Sequence, residues 1–164
     1  MIARLLSWLV KPSDIVVGGS LYMRRWIFLL WRGGPAIRVH HILRPDGDRA
    51  LHDHPFTFLS IILRGIYLEE RPAAQANWLH LVKATPERVE TVRSLYNFAR
   101  AEQLHRISMI SEGGVWTLVF AGPKRRHWGF LTEDRGWVPW EQFEPQAGTW
   151  DTKQKQLEQA RRQG

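Results

Sequence analysis

Short β-prone runs, none much longer than about a dozen residues, are cut apart by turn sequences through most of this chain. The runs are Tyr22–Trp31, Ala36–Leu43, Leu51–Leu63, Ile66–Glu70, Trp78–Val82, Val89–Arg93, Leu104–Ser111 and Val115–Phe120, with shorter segments at Gly129–Leu131 and Gly136–Trp140. Between them lie Arg32–Pro35, Arg44–Ala50, Arg64–Gly65, Glu112–Gly114 and the basic loop Ala121–Trp128. Such punctuation leaves room for little except antiparallel sheet. About eight to ten strands are expected, as an all-β barrel or a double-sheet sandwich. Helices are expected only at the ends. One falls at Ile2–Leu9 within an N-terminal helix and lead-in over residues 1–20, where Pro12 stops it, and one in a C-terminal tail over 150–164. The segment Leu95–Gln103 fits either one helical turn or a loop. With 164 residues, the whole of 1–164 reads as a single domain.

The stretch Leu51–Gly65, LHDHPFTFLSIILRG, is the most informative. On a strand, side chains alternate, so His52 and His54 point to one side together with Phe56, Phe58, Ser60 and Ile62, and Asp53 points to the other. Two imidazoles so spaced can serve one metal ion; they can also be two strand histidines hydrogen-bonded to their neighbours. A bulge or bend is expected near Pro55. His105, in a β run of its own, is the best third ligand, since three protein nitrogens plus an open position is a common reactive arrangement. A carboxylate would complete the set. Glu69 is preferred over Glu70 because it shares a strand face with Tyr67, which is in turn the candidate proton donor. Asp53 is expected to pair with an arginine or to accept backbone donors, and Asp46 and Asp48 to be turn residues. Among the remaining histidines, His40, His80 and His127 read as structural or surface residues, and His41 as either a support behind the ligands or an additional pocket residue.

Lys and Arg number 23 against 16 acidic residues, a formal charge of +7 that favours anionic partners. The excess sits in short clusters at Arg24–Arg25, Lys124–Arg126 and Arg161–Arg162. Lys124, Arg125 and Arg126 lie between a Gly–Pro turn and an aromatic–Gly pair, and are the expected clamp for an anionic substrate. The aromatic residues fall in apolar strands and form no cation-interleaved platform, which argues against nucleic acid. Cysteine is absent, which excludes thiolate chemistry and disulfides and suits a reducing, cytoplasmic setting. No apolar run reaches the roughly 20 residues of a membrane span, and Met1–Val10 lacks a small-x-small cleavage site.

Taken with their spacing, Gly47, His52, His54 and Gly65, followed by His105, resemble the two motifs of the cupin superfamily. The wider pattern of YMRRW, HDHPF-x-F, GPKRR-x-W-GF and GWVPW is similar to a little-characterised group of short bacterial and phage cupin-like proteins. The resemblance implies a double-stranded β-helix, a jelly-roll barrel, covering about Tyr22 to Phe130, with a divalent transition metal (Fe, Mn, Ni or Zn) held by His52, His54 and His105. The chain departs from the pattern at Phe58, which stands where the usual glutamate ligand falls, so a fourth ligand would have to be Glu69 or Glu70. The implied function is a metal-binding cupin-like protein, whether or not an enzyme of oxygenase or isomerase type, acting on a small anionic substrate. The alternative is a non-catalytic barrel that binds or senses a small molecule without metal. Exposed strand edges leave a homodimer open.

Overall fold

In the computed structural model of the chain, residues 11–17, 19–29, 34–46, 50–73 and 88–143 are described. They form twelve strands in three antiparallel sheets and one 3-10 turn at Trp140–Gln142. The strands are β1 (Lys11–Val17), β2 (Ser20–Leu29), β3 (Ala36–Ile42), β4 (Leu51–His52), β5 (Phe58–Arg64) and β6 (Tyr67–Pro72). They continue with β7 (Arg88–Arg93), β8 (Tyr96–Ala99), β9 (Arg106–Ile110), β10 (Val115–Ala121), β11 (Gly129–Thr132) and β12 (Gly136–Pro139). The large sheet has the order β1-β2-β3-β10-β5-β8, and the two small ones β12-β11-β4 and β7-β6-β9. The topology is jelly-roll-like. Among the described residues no sheet closes on itself, so the expected closed barrel is replaced by separate sheets walling a common interior. The expected terminal helices and the Trp78–Val82 strand lie outside the described residues.

Two strand expectations change. Lys11–Val17, read as a lead-in, is an edge strand paired with β2 from Lys11↔Ile27 to Val17↔Ser20. Pro12 is tolerated there because an edge strand can spare an N–H. Ile15 and Val17 pack against the core cluster of Tyr22, Met23, Ile42, Tyr67, Ile107 and Val115, while Val16 faces out. The run Leu51–Leu63 is two strands, with 53–57 irregular between them. The bend near Pro55 carries the chain from a small sheet into the large one. The Leu95–Gln103 segment resolves into β8 followed by a turn.

Alternation also fails in β9. A register shift opposite Leu68/Glu69 lets Ile107 face in and throws Met109 out to 59% exposure. The tight turn after β5 needs Gly65, whose φ is +84°. A Cβ there would stand 2.7 Å from the Gly114 carbonyl oxygen.

Candidate metal centre and cavity

His52 and His105 face each other across an isolated antiparallel bridge. Each amide donates to the other residue's carbonyl at 2.9 Å. Directly opposed residues in such a pair put their side chains on the same face. His54 follows two residues on, its amide bound to the Ala101 carbonyl at 2.9 Å. Backbone pairing thus draws the HDH segment and residues 101–105 together, and the three imidazoles converge. One ligand nitrogen from each of His52, His54 and His105 lies within 4.8 Å of the others. His52 and His105 are 6% exposed.

Glu69, expected as a fourth ligand, stands behind His105. Its Oε1 accepts from His105 Nδ1 at 2.6 Å and from Asn97 Nδ2 at 2.7 Å. Its Oε2 meets Arg93 Nε at 2.7 Å and Arg71 Nε at 3.0 Å. The side chain is fully buried and its oxygens are engaged away from the triad. Burial alone would raise its pKa, but the hydrogen bond and charge of His105, with the Arg71 guanidinium, hold it well below the usual carboxylate range. Because a carboxylate can only accept, His105 Nδ1 carries the proton. In a neutral His105 the opposite nitrogen, Nε2, then presents its lone pair to the triad. His54 Nε2 lies 2.7 Å from it, a hydrogen bond that His54 donates. Burial, then the neighbouring His105 and His52, push the His54 pKa well below its ordinary value. Glu70, the other carboxylate considered, is tied to Arg106 at 2.7 Å.

Phe58 fills the flank of the triad where a carboxylate was missing in sequence. Its ring meets His54 edge-on, with centroids 4.9 Å apart. The other walls near the histidines are aromatic too, Trp128 and Phe130 lying 6.5 and 5.6 Å from the His52 ring. The triad opens into a cavity of about 790 Å³, lined from all three sheets. His52, His54, Phe56, Phe58 and Ser60 line it and Asp53 does not, which matches the expected sidedness.

Tyr67 also lines the cavity. Its hydroxyl accepts from Asn97 Nδ2 at 3.0 Å, which leaves its own proton available to donate. Burial, and then the Glu69 carboxylate, push its pKa up, so it stays a neutral phenol. A continuous hydrogen-bonded chain therefore runs from His105 through Glu69 and Asn97 to Tyr67. Asn97 was missed in sequence. Its only signal is its position between the aromatic residues of β8, where an inward amide is unusual.

The basic loop is placed differently from expectation. Arg126 Nη1 binds Asp53 Oδ2 at 2.5 Å and the Ala101 carbonyl at 3.2 Å. Lys124 and Arg125 are exposed. None of the three lines the cavity. Arg126 is thereby held by Asp53. The Asp53 carboxylate also accepts from the Gly129 amide at 2.7 Å and from Trp137 Nε1 at 3.0 Å. Asp46 is more than a turn residue, since it accepts from the Ile107 amide at 2.9 Å while fully buried.

The pocket histidine on β3 is His40, in place of His41. His41 stacks on Trp116 with centroids 4.2 Å apart and reaches the Gly113 carbonyl at 3.2 Å. The residues on the other face, Arg38, His40 and Ile42, line the cavity. Burial, then Arg38 and Arg25, lower the His40 pKa to about 3. Ile37, Val39 and His41, on the other face of this strand, do not line the cavity.

No protein-family profile matches the chain, and no curated protein sequence does. Solved structures do resemble it. A cupin-2 domain protein from Rhodospirillum rubrum superposes with a TM-score of 0.51 at 12% identity, covering 77% of this chain and 78% of the other. Hydroxypropylphosphonic acid epoxidase from S. wedmorenis aligns with a TM-score of 0.44 at 13% identity, over 69% of this chain and 55% of that one. This chain therefore spans a little over half the epoxidase's length. A mutant of Bacillus subtilis oxalate decarboxylase gives 0.49 at 11% identity, over 74% of this chain and 30% of the other. The cupin-2 likeness shows the fold.

Proposed function

We propose that the chain is a small cupin-like protein. His52, His54 and His105 bind one divalent transition metal, and the adjoining cavity receives a small anionic molecule. The observation that carries this reading is the convergence of three imidazoles, two from the HDH segment and one from His105 facing it, with Glu69 fixing the proton of His105 on the far nitrogen. A carboxylate behind a ligating histidine is the usual support of a metal site, because it sets the tautomer and raises ligand basicity. The donor set suits Fe, Mn, Ni or Zn. A metal held there would supply Lewis acidity toward an oxygen-bearing substrate, in keeping with isomerase or oxygenase chemistry. The chain's own groups would do the rest. Tyr67 would donate a proton from its free hydroxyl, while Phe58, Trp128 and Phe130 keep water from the histidines.

One observation favours the alternative of a non-catalytic binding or sensing barrel. Phe58 packs on His54, and among the described residues no carboxylate joins the three histidines in their cluster. Elemental analysis of tag-free protein separates the two. About one transition metal per chain, lost in His52→Ala and His105→Ala, is expected. A chain that retains a small molecule but carries no metal would overturn the metal reading.

A homodimer through the outer face of the large sheet is supported by the exposed Leu59, Ile61, Phe98 and Phe120. Light scattering should then read twice the 19.2 kDa chain mass. No described helix is long and apolar enough to cross a membrane. The cysteine-free composition suits a cytoplasmic setting.

A further inference from the structure

Three neighbouring strands of the large sheet set polar groups in one row on the cavity side. Arg25 on β2 stands opposite His40 on β3, and His40 stands opposite Thr117 on β10. Arg38, two residues back along β3, shares that face. All four line the cavity. The interior face of a sheet is ordinarily apolar. This one carries two guanidinium groups, an imidazole and a hydroxyl.

Their hydrogen-bonding capacity is not met from within. Arg38 Nε, His40 Nε2 and Thr117 Oγ1 are buried, and among the described residues none has a hydrogen-bond partner. Arg25 Nε donates a long 3.4 Å bond to Ser13 Oγ. No described carboxylate is ion-paired with either arginine: burial lowers the pKa of Arg25, and burial with Arg25 lowers that of Arg38 to about 10. Phe56 lies under the Arg38 guanidinium, 4.3 Å from its carbon to the ring centroid. Half-buried like charges and orphaned buried donors oppose folding unless something else uses them.

We infer that Arg25, Arg38, His40 and Thr117 form an oxyanion-binding subsite of the cavity, taking the carboxylate or phosphate end of a small molecule. The chemistry matches group by group. A guanidinium presents parallel donors to two oxygens of an oxyanion. Thr117 adds an O–H donor, and a neutral His40 adds an N–H. A cavity of about 790 Å³ leaves space for the rest of a small molecule between this wall and the histidines. The inference rests on the reading of the cavity as a small-molecule site, and not on the metal.

The test titrates inorganic phosphate, and separately acetate, into chelator-treated full-length protein, followed by NMR of the arginine Nε–H and histidine ring signals. A saturable shift at Arg38 Nε with either probe is expected, and the probe that saturates assigns the headgroup as phosphoryl or carboxylate. Arg38→Met, followed at the His40 ring signals, should weaken binding by about tenfold or more. Thr117→Val, which keeps the side-chain shape, should weaken it several-fold. A Lys124→Gln/Arg125→Gln double variant should leave it unchanged. If Arg38→Met does not fold, Arg25→Gln and Thr117→Val carry the same reading. The inference is overturned if neither probe saturates, if these variants bind like the parent, or if the basic-loop variant loses binding. Failure of the stripped protein to take up metal, with anion binding intact, would remove the metal reading and leave this one. Metal uptake without anion binding would do the reverse.

Discussion

Glu69 is the residue on which the histidine cluster turns. It is fully buried and neutral replacement would strand Arg71 and Arg93 beside it. Glu69→Gln should lower stability by about 3–5 kcal/mol, the usual cost of removing one partner of a buried pair, read by urea denaturation. It should also weaken metal binding by about 10–100-fold in a titration of the folded protein, because His105 loses the carboxylate that fixes its tautomer. Thr117 gives the opposite sign. Its buried hydroxyl has no partner among the described residues, so Thr117→Val should raise the stability of the ligand-free protein by about 1 kcal/mol. The same change is the one that weakens anion binding. A group that costs stability and serves a ligand is the pattern expected of a binding site.

At the scale of elements, Asp53 ties the β12-β11-β4 sheet and the basic loop to the HDH segment. One carboxylate holds the Gly129 amide of β11, the Trp137 indole of β12 and the Arg126 guanidinium. Asp53→Asn keeps the shape but removes the charge. The expected loss is about 2–4 kcal/mol, since bonds to ionised groups are the strong ones and the site is buried. Native-state hydrogen exchange should show Gly129 and Phe130 opening first, ahead of the large sheet. Equal loss of protection in β3 and β10 would mean the latch is not local.

For the whole molecule, acid should unfold the chain earlier than its carboxylates alone require. His40 has a pKa of about 3 when folded and its ordinary value of 6.5 when unfolded. Between those values the unfolded chain binds more protons than the folded one, so stability rises with pH. It is complete above about pH 6.5 and falls as pH drops toward 3, by on the order of a few kcal/mol from this group alone. Glu69, depressed when folded, adds a loss in the same direction below the carboxylate range. Denaturation midpoints measured at pH 7, 5 and 4 should fall steeply in the parent. They should fall less in His40→Gln, which cannot titrate.

The sequence by itself determined the mostly β class, most strand positions among the described residues, and the shared sidedness of His52, His54, Phe56, Phe58 and Ser60. These follow from turn residues and period-two alternation, which are local properties of the chain. Asp53's arginine and backbone partners were likewise legible, because an acid on the far face of a histidine strand has little else to meet. Partnership across sheets was not. That Glu69 backs His105, that Asn97 joins it to Tyr67, and that Arg38 and His40 face inward are set by strand register and by which face of a sheet the neighbouring sheets cover. A polar cavity wall inverts the rule that the apolar face is the inner one, and only the packing of three sheets around a common interior decides where that inversion falls.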